Sequence, residues 1–130
     1  MGALVVLATL TLPGAVRSVE YARRFVEDIL GAGHPALESA VICTNELATN
    51  AVRHSRSGDG GHFTVVIAEG RREIQLSVID EGADGPGPRL REGGLFEESG
   101  RGLFMVDALS SSWAAERDGG ATTVWFRVAY

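Results

Sequence analysis

Hydrophobic and polar positions switch between two spacings along this chain, and the switches mark eight elements. Met1 to Leu12 is almost wholly apolar, and Pro13 ends the run. It reads as a buried or edge strand. From Ala15 to Leu30 the apolar residues Val16, Val19, Ala22, Phe25, Val26 and Ile29 recur every three to four positions. Arg17, Glu20, Arg23, Arg24 and Glu27 lie opposite them, giving an amphipathic helix with a solvated face. Gly31 and Gly33 stop it. A second helix is expected from about Pro35 to His54, since proline suits a first turn. After a polar, glycine-rich turn over 55–61, two strands follow, His62 to Ala68 and Glu73 to Ile79. Gly70 and two arginines between them signal a hairpin. Residues 80–100 are rich in glycine and contain Pro86 and Pro88. A loop of that length in a compact domain is usually functional or disordered. A short helix from about Gly102 to Leu109 and two strands, Ser112 to Arg117 and Thr122 to Val128, complete the chain. Asp118-Gly119-Gly120 makes the last pair a hairpin.

The expected order is therefore β-α-α-β-β-α-β-β. Hairpins join most strand neighbours, so the sheet is expected to be mixed and mainly antiparallel, with the helices on one face. That is an α/β (α+β) two-layer sandwich. No linker or internal repeat interrupts it, and residues 1–130 read as a single domain.

Composition narrows the function. Hydrophobic residues at 45% and charged residues at 22% are ordinary for a globular domain of 130 residues. The net charge of −5 speaks against direct nucleic-acid binding, which draws on a basic surface. An anionic ligand would then need local backbone amides or a metal ion to hold it. Cys43 is the single cysteine, so no internal disulfide forms, and no Cys/His cluster has metal-ligand spacing. A reducing cytoplasm fits this. The apolar start lacks a positive leader region and is too short to span a bilayer, so no membrane role is expected.

Three polar segments stand out against this frame. In the second helix, at 100° per residue, Asn50 falls about 40° from Glu46, Arg53 about −20° and His54 about 80°. Glu46 and Asn50 thus share a face turned away from the apolar stripe. An amide oxygen such as that of Asn50 is a hard, neutral ligand suited to Mg²⁺. A carboxylate one turn earlier can take a proton from a hydroxyl near a γ-phosphate. Arg53 and His54 could meet a phosphate, though a surface pair and a helix C-terminal cation are the simpler roles. Asp80 ends an apolar strand, where a carboxylate needs a partner. An exocyclic adenine amine would serve, and Gly82 would let the backbone pass close to a flat base. The segment Gly100-Arg101-Gly102-Leu103 opens a helix, whose free amides bind phosphate. No Walker A lysine follows it, and no dinucleotide fingerprint opens the first βα unit. Thr123, near the start of the last strand, could hydrogen-bond a base or a water.

These segments resemble the boxes of the ATPase domain shared by gyrase, histidine kinases and the large heat-shock chaperones, the GHKL or Bergerat fold. Ile42-Cys-Thr-Asn-Glu-Leu-Ala-Thr-Asn-Ala-Val-Arg-His54 looks like the N box. Asp80-Glu-Gly82 looks like the first glycine box and Gly100-Arg-Gly-Leu-Phe-Met-Val106 like the second. The resemblance spans about Thr11 to Val128. It is nearest to the short branch of anti-sigma factor serine/threonine kinases and related actinobacterial regulatory proteins. It implies ATP and Mg²⁺ as cofactors, with Asn50 on the metal and Glu46 as catalytic base. It further implies that Asp80 reads the adenine amine, that Gly82 permits its approach, and that Thr123 supports the pocket. Gly100, Gly102 and Leu103 would belong to the lid over the phosphates, with Arg101 close to them. The glycines of Asp80-Glu-Gly-Ala-Asp-Gly-Pro-Gly-Pro88 are spaced less regularly than the family pattern.

The function so implied is a protein kinase that moves the ATP γ-phosphate to a Ser or Thr of a small antagonist protein and also holds a sigma factor. Two other functions fit the same residues: a non-catalytic ATP-binding regulatory module, and a nucleotide-free protein-interaction domain. The resemblance also admits a homodimer, and the apolar first strand could pair across it.

Overall fold

The structure, a computed structural model, describes residues 3–54, 60–82 and 101–130, apart from the side chains of residues 54 and 101. The elements are β1 (Val5–Pro13), α1 (Val16–Leu30), α2 (Leu37–His54), β2 (His62–Gly70), β3 (Glu73–Asp80), α3 (Arg101–Leu109), β4 (Ser112–Asp118) and β5 (Ala121–Ala129). Their order is the expected one. The long loop of the sequence reading falls mostly on 83–100, outside the described residues.

One sheet runs β1-β2-β3-β5-β4, and every neighbouring pair is antiparallel. The mixed sheet expected from the sequence is thus wholly antiparallel. Connection parity explains it. Helices α1 and α2 run out and back, so β2 starts where β1 ended. Helix α3 carries the chain back once, so β4 runs in the direction of β3. Strand β5 then turns into the gap between them, so the parallel strands β3 and β4 never become a hydrogen-bonded pair.

Two tight turns set the register. Asp118 pairs with Ala121 across Gly119 and Gly120, whose φ values are 61° and 89°. A two-residue hairpin needs left-handed backbone at its centre, and glycine takes it without a Cβ clash. Gly70 pairs with Glu73 across Arg71 and Arg72, and here Arg72 itself takes φ 60°. The Tyr130 amide donates to the Arg72 carbonyl at 2.9 Å, and Arg72 Nε donates back to the Tyr130 carbonyl at 3.2 Å, which holds the turn.

Period-two burial gives the sheet one apolar face. Phe63, Val65 and Ile67 of β2, Ile74, Leu76 and Val78 of β3, and Val124, Phe126 and Val128 of β5 are buried under the helices. Helix α2 meets them with Ala40, Cys43, Thr44, Leu47, Ala48 and Ala51, and its alanines let it lie close to the strands. Helix α1 adds Ala22 and Val26, and α3 adds Leu103 and Val106. Each large side chain fully buried here contributes roughly 1.5–3 kcal/mol.

The other face is polar and open. Thr11 and Thr64 share a hydroxyl hydrogen bond of 2.9 Å, and Arg127 Nε donates to Gln75 Oε1 at 2.7 Å. The Arg127 guanidinium also lies 5.2 Å from the Trp125 ring centre. Trp125 therefore belongs to the open face rather than the core. Trp113 does pack against the core, with its Nε1 donating to Asp107 Oδ1 at 2.8 Å. The polar side of α1 is likewise not uniform. Arg24 and Glu20 form an exposed pair of little energetic weight. Arg23, however, donates to Asn45 Oδ1 at 3.2 Å and ties α1 to α2. No described helix is long and apolar enough to cross a membrane.

Candidate functional site

The register brings one set of element ends together. Pro13, at the end of β1, pairs with His62, at the start of β2. Thr64 pairs with Ile79, which puts the end of β3 beside them. Asp80 pairs with Thr122, and Thr122 with Arg117, so the start of β5 and the end of β4 join the same edge. Helix α2 ends at His54, a few residues before β2 begins, and α3 leaves this end to deliver the chain to β4 at the other. The C-terminus of α2, the N-terminus of α3 and the Asp80 end of β3 thus share one end of the domain. The segments singled out in the sequence converge there.

Glu46 and Asn50 lie one turn apart on α2, at the margin of its buried stripe, and both are half-buried. Neither side chain is engaged in a hydrogen bond or ion pair among the described residues. Half-burial without a partner among the described residues suits both to meeting a ligand. Arg53, on the same helix, is exposed. The side chain of His54 lies outside the described residues. No group of three or more His, Cys, Asp or Glu among the described residues could hold a metal. Mg²⁺ asks for less than that, because it keeps several waters and takes one or two protein oxygens beside substrate phosphates. The Asn50 amide oxygen fits that need.

Cys43 sits one turn before Glu46 and is fully buried. Burial, and then the nearby Glu46 charge, push its thiol up to about 12. The thiolate is the nucleophile, and its population at neutral pH is negligible at such a value. Iodoacetamide at pH 8 is expected to leave the folded protein unlabelled and to modify Cys43 only in denaturant. Rapid labelling of native protein, read by mass spectrometry, would contradict this placement.

At the end of β3, Asp80 Oδ1 accepts the Gly82 amide at 2.6 Å. Gly82 is buried with φ 76°, a conformation that a side chain would strain. The Asp80 carboxyl is raised above its ordinary range, chiefly by burial. The Gly82 hydrogen bond and the Arg117 charge pull it down, and Glu81 pushes it up. Glu81 also reaches over Gly61, where its Oε2 accepts the His62 amide at 3.0 Å. A Cβ on Gly61 would fall on that carboxylate.

The sequence reading gave Thr123 a supporting role in the pocket, and the register sets it beside a second threonine on the opposite face. Thr123 pairs with Ile79 and Glu116, on the open face of the sheet. Thr122 is the threonine opposite Asp80, on the helix-covered face and only 3% exposed. One residue along a strand reverses the face, so two adjacent threonines could not be told apart by pattern. Of the second glycine box, Gly100 and the side chain of Arg101 lie outside the described residues. Leu103 is buried in the core and anchors the first turn of α3.

With this geometry in place, the chain can be set beside known proteins. The model of the histidine kinase-like ATPase domain matches residues 12–128. The chain belongs to that family. No curated protein gives a significant match. Solved structures share the fold. One contains the RsbU and RsbW domains of Rv1364c from Mycobacterium tuberculosis, with a TM-score of 0.69 and 22% identity over 95% of this chain. This chain covers 32% of that one, about a third of its length. Another is the SiaB–SiaC complex from Pseudomonas aeruginosa, with a TM-score of 0.59 and 14% identity, covering 96% of this chain and 91% of that one. The fold, which among the described residues is a five-stranded antiparallel sheet with three helices, is thus shared across low sequence identity.

Proposed function

We propose that this histidine kinase-like ATPase domain binds Mg-ATP and acts as an anti-sigma-factor-type serine/threonine kinase. It would move the γ-phosphate to a Ser or Thr of an antagonist protein and also regulate a sigma factor. The observation that carries the reading is the convergence, at one end of the fold, of the half-buried Glu46/Asn50 pair with Asp80 and the start of α3. In this reading Asp80 accepts a hydrogen bond from the adenine amine, using the oxygen that Gly82 leaves open. Thr122 stands beside it. Asn50 would hold Mg²⁺, which when bound screens the phosphate charge. The amides at the N-terminus of α3 face the phosphates, where the helix dipole favours negative charge even in a protein of net charge −5. Glu46 accepts the proton of the attacking Ser or Thr hydroxyl as its oxygen bonds to the γ-phosphorus and ADP departs.

Partners belong to the same proposal. A protein partner suits a fold whose solved relatives include a two-protein complex. A homodimer through β1 suits an edge strand that carries exposed Val5, Val6 and Leu7 and no charged residue.

Titration calorimetry with Mg-ATP tests the reading. Saturable binding is expected for the wild type. Asn50→Ala should weaken it at least about tenfold in the presence of Mg²⁺, since even indirect partners of a metal ligand cost that much when removed. The loss should shrink when nucleotide is offered without the metal. Wild-type protein that binds no Mg-ATP would retire the reading in favour of a nucleotide-free interaction domain.

A further inference from the structure

Arg117 has been given no role in ligand binding so far, yet the sheet aims it at the site. It pairs with Thr122 across β4 and β5, and Thr122 pairs with Asp80 across β5 and β3. Directly paired residues in antiparallel strands point to the same face, so Arg117, Thr122 and Asp80 form one row on the sheet face that carries the helices, with Arg117 at its exposed edge. Two strand spacings put the Cα atoms of Arg117 and Asp80 about 10 Å apart, within reach of an arginine charge. On the open face, the neighbouring Glu116 pairs with Thr123 and points away.

We propose that Arg117 is a positioning residue for base recognition, its charge keeping the Asp80 carboxyl in the anionic, hydrogen-bond-accepting form that an exocyclic amine requires. The inference rests on the nucleotide reading above. A buried carboxyl left to itself gains a proton, and a protonated oxygen set against an amine offers donor to donor. Arg117 opposes that gain, as does the Gly82 amide, while Glu81 favours it. Among the described side chains toward this end of the fold, α2 carries Glu46 and Arg53, α3 carries Asp107, and β2 carries His62, whose amide is held by Glu81. Asp107 is held by Trp113. Because Arg117 is exposed, its field is screened by salt.

The test follows the Asp80 carboxyl by carbon NMR through a pH titration, without nucleotide, in wild type, Arg117→Gln and Arg117→Lys. The Gln variant should titrate at higher pH, with the difference shrinking in high salt, and Lys should restore the wild-type midpoint. Mg-ATP binding should then weaken about two- to threefold in Arg117→Gln on the acidic side of the midpoint and match wild type on the alkaline side. An unmoved Asp80 midpoint with ATP binding intact overturns the role of Arg117 alone. So does a loss of binding that is equal at every pH, which would mean a direct or structural contact. If wild type binds no Mg-ATP, the nucleotide reading falls, and the recognition role of Arg117 falls with it.

Discussion

Glu46→Ala is expected to slow phosphoryl transfer to the antagonist protein by about 10²–10⁴-fold, the usual worth of a positioned general base. Mg-ATP affinity should stay within about threefold of wild type, because the proposed role concerns the acceptor hydroxyl and not the nucleotide. Structure supports this division. Glu46 is half-buried on α2, one turn before Asn50, and makes no hydrogen bond among the described residues. Its removal therefore breaks no hydrogen bond among the described residues, and alanine is the better helix former. The variant should fold and melt close to wild type. Single-turnover transfer, with nucleotide bound at saturation, separates chemistry from binding. Transfer at the wild-type rate would remove Glu46 as the base and leave the domain a binder of ATP. Glu46→Gln keeps the shape and loses the basicity, so it should match the alanine variant in rate.

The parts of the molecule differ in how far the sequence reveals them. Periodicity alone placed α1 and α2, because a stripe such as Val19, Ala22, Val26 repeats over several turns and meets one core. The hairpin at Gly119-Gly120 was equally plain, since its turn chemistry admits few alternatives. Faces of strands were less legible. Thr122 and Thr123 have the same side chain, and only the pairing with Asp80 and Ile79 tells which one lies under the helices. Trp125 is apolar, yet its even-numbered neighbours Val124 and Phe126 fill the buried face and leave it beside Arg127. Arg23 looked solvated because a helical pattern does not say which neighbouring helix lies beside its polar side. The Glu46/Asn50 pair was legible through spacing on one helix. The row from Arg117 to Asp80 was not, because it joins residues far apart in sequence through strand order alone.

Asp80→Asn is expected to lower Mg-ATP affinity by about 10- to 100-fold, the worth of a hydrogen bond to a charged group, without lowering stability. The two effects have one origin. Folding raises the Asp80 carboxyl, chiefly through burial, so the native state holds its proton to higher pH than the unfolded chain does. Between the ordinary carboxylate range and the raised native value, the native state binds more protons, and stability falls as pH rises. Above that window the cost is constant and present in full. Below it the cost vanishes. Asparagine carries no charge to desolvate, so the variant should melt at or above the wild-type temperature at neutral pH. The advantage should disappear in acid. Recognition should invert at the same time. Gly82 donates to Oδ1 at 2.6 Å, which in asparagine fixes the amide oxygen there and turns the NH₂ group toward the ligand. A donor now faces the adenine amine, itself a donor, whereas the carbonyl oxygen of guanine would be accepted. The ratio of GTP to ATP affinity should therefore rise. Calorimetry with both nucleotides, beside melting curves from pH 4 to about 8, reads all of this. Unchanged ATP affinity in the variant would show that Asp80 does not touch the base.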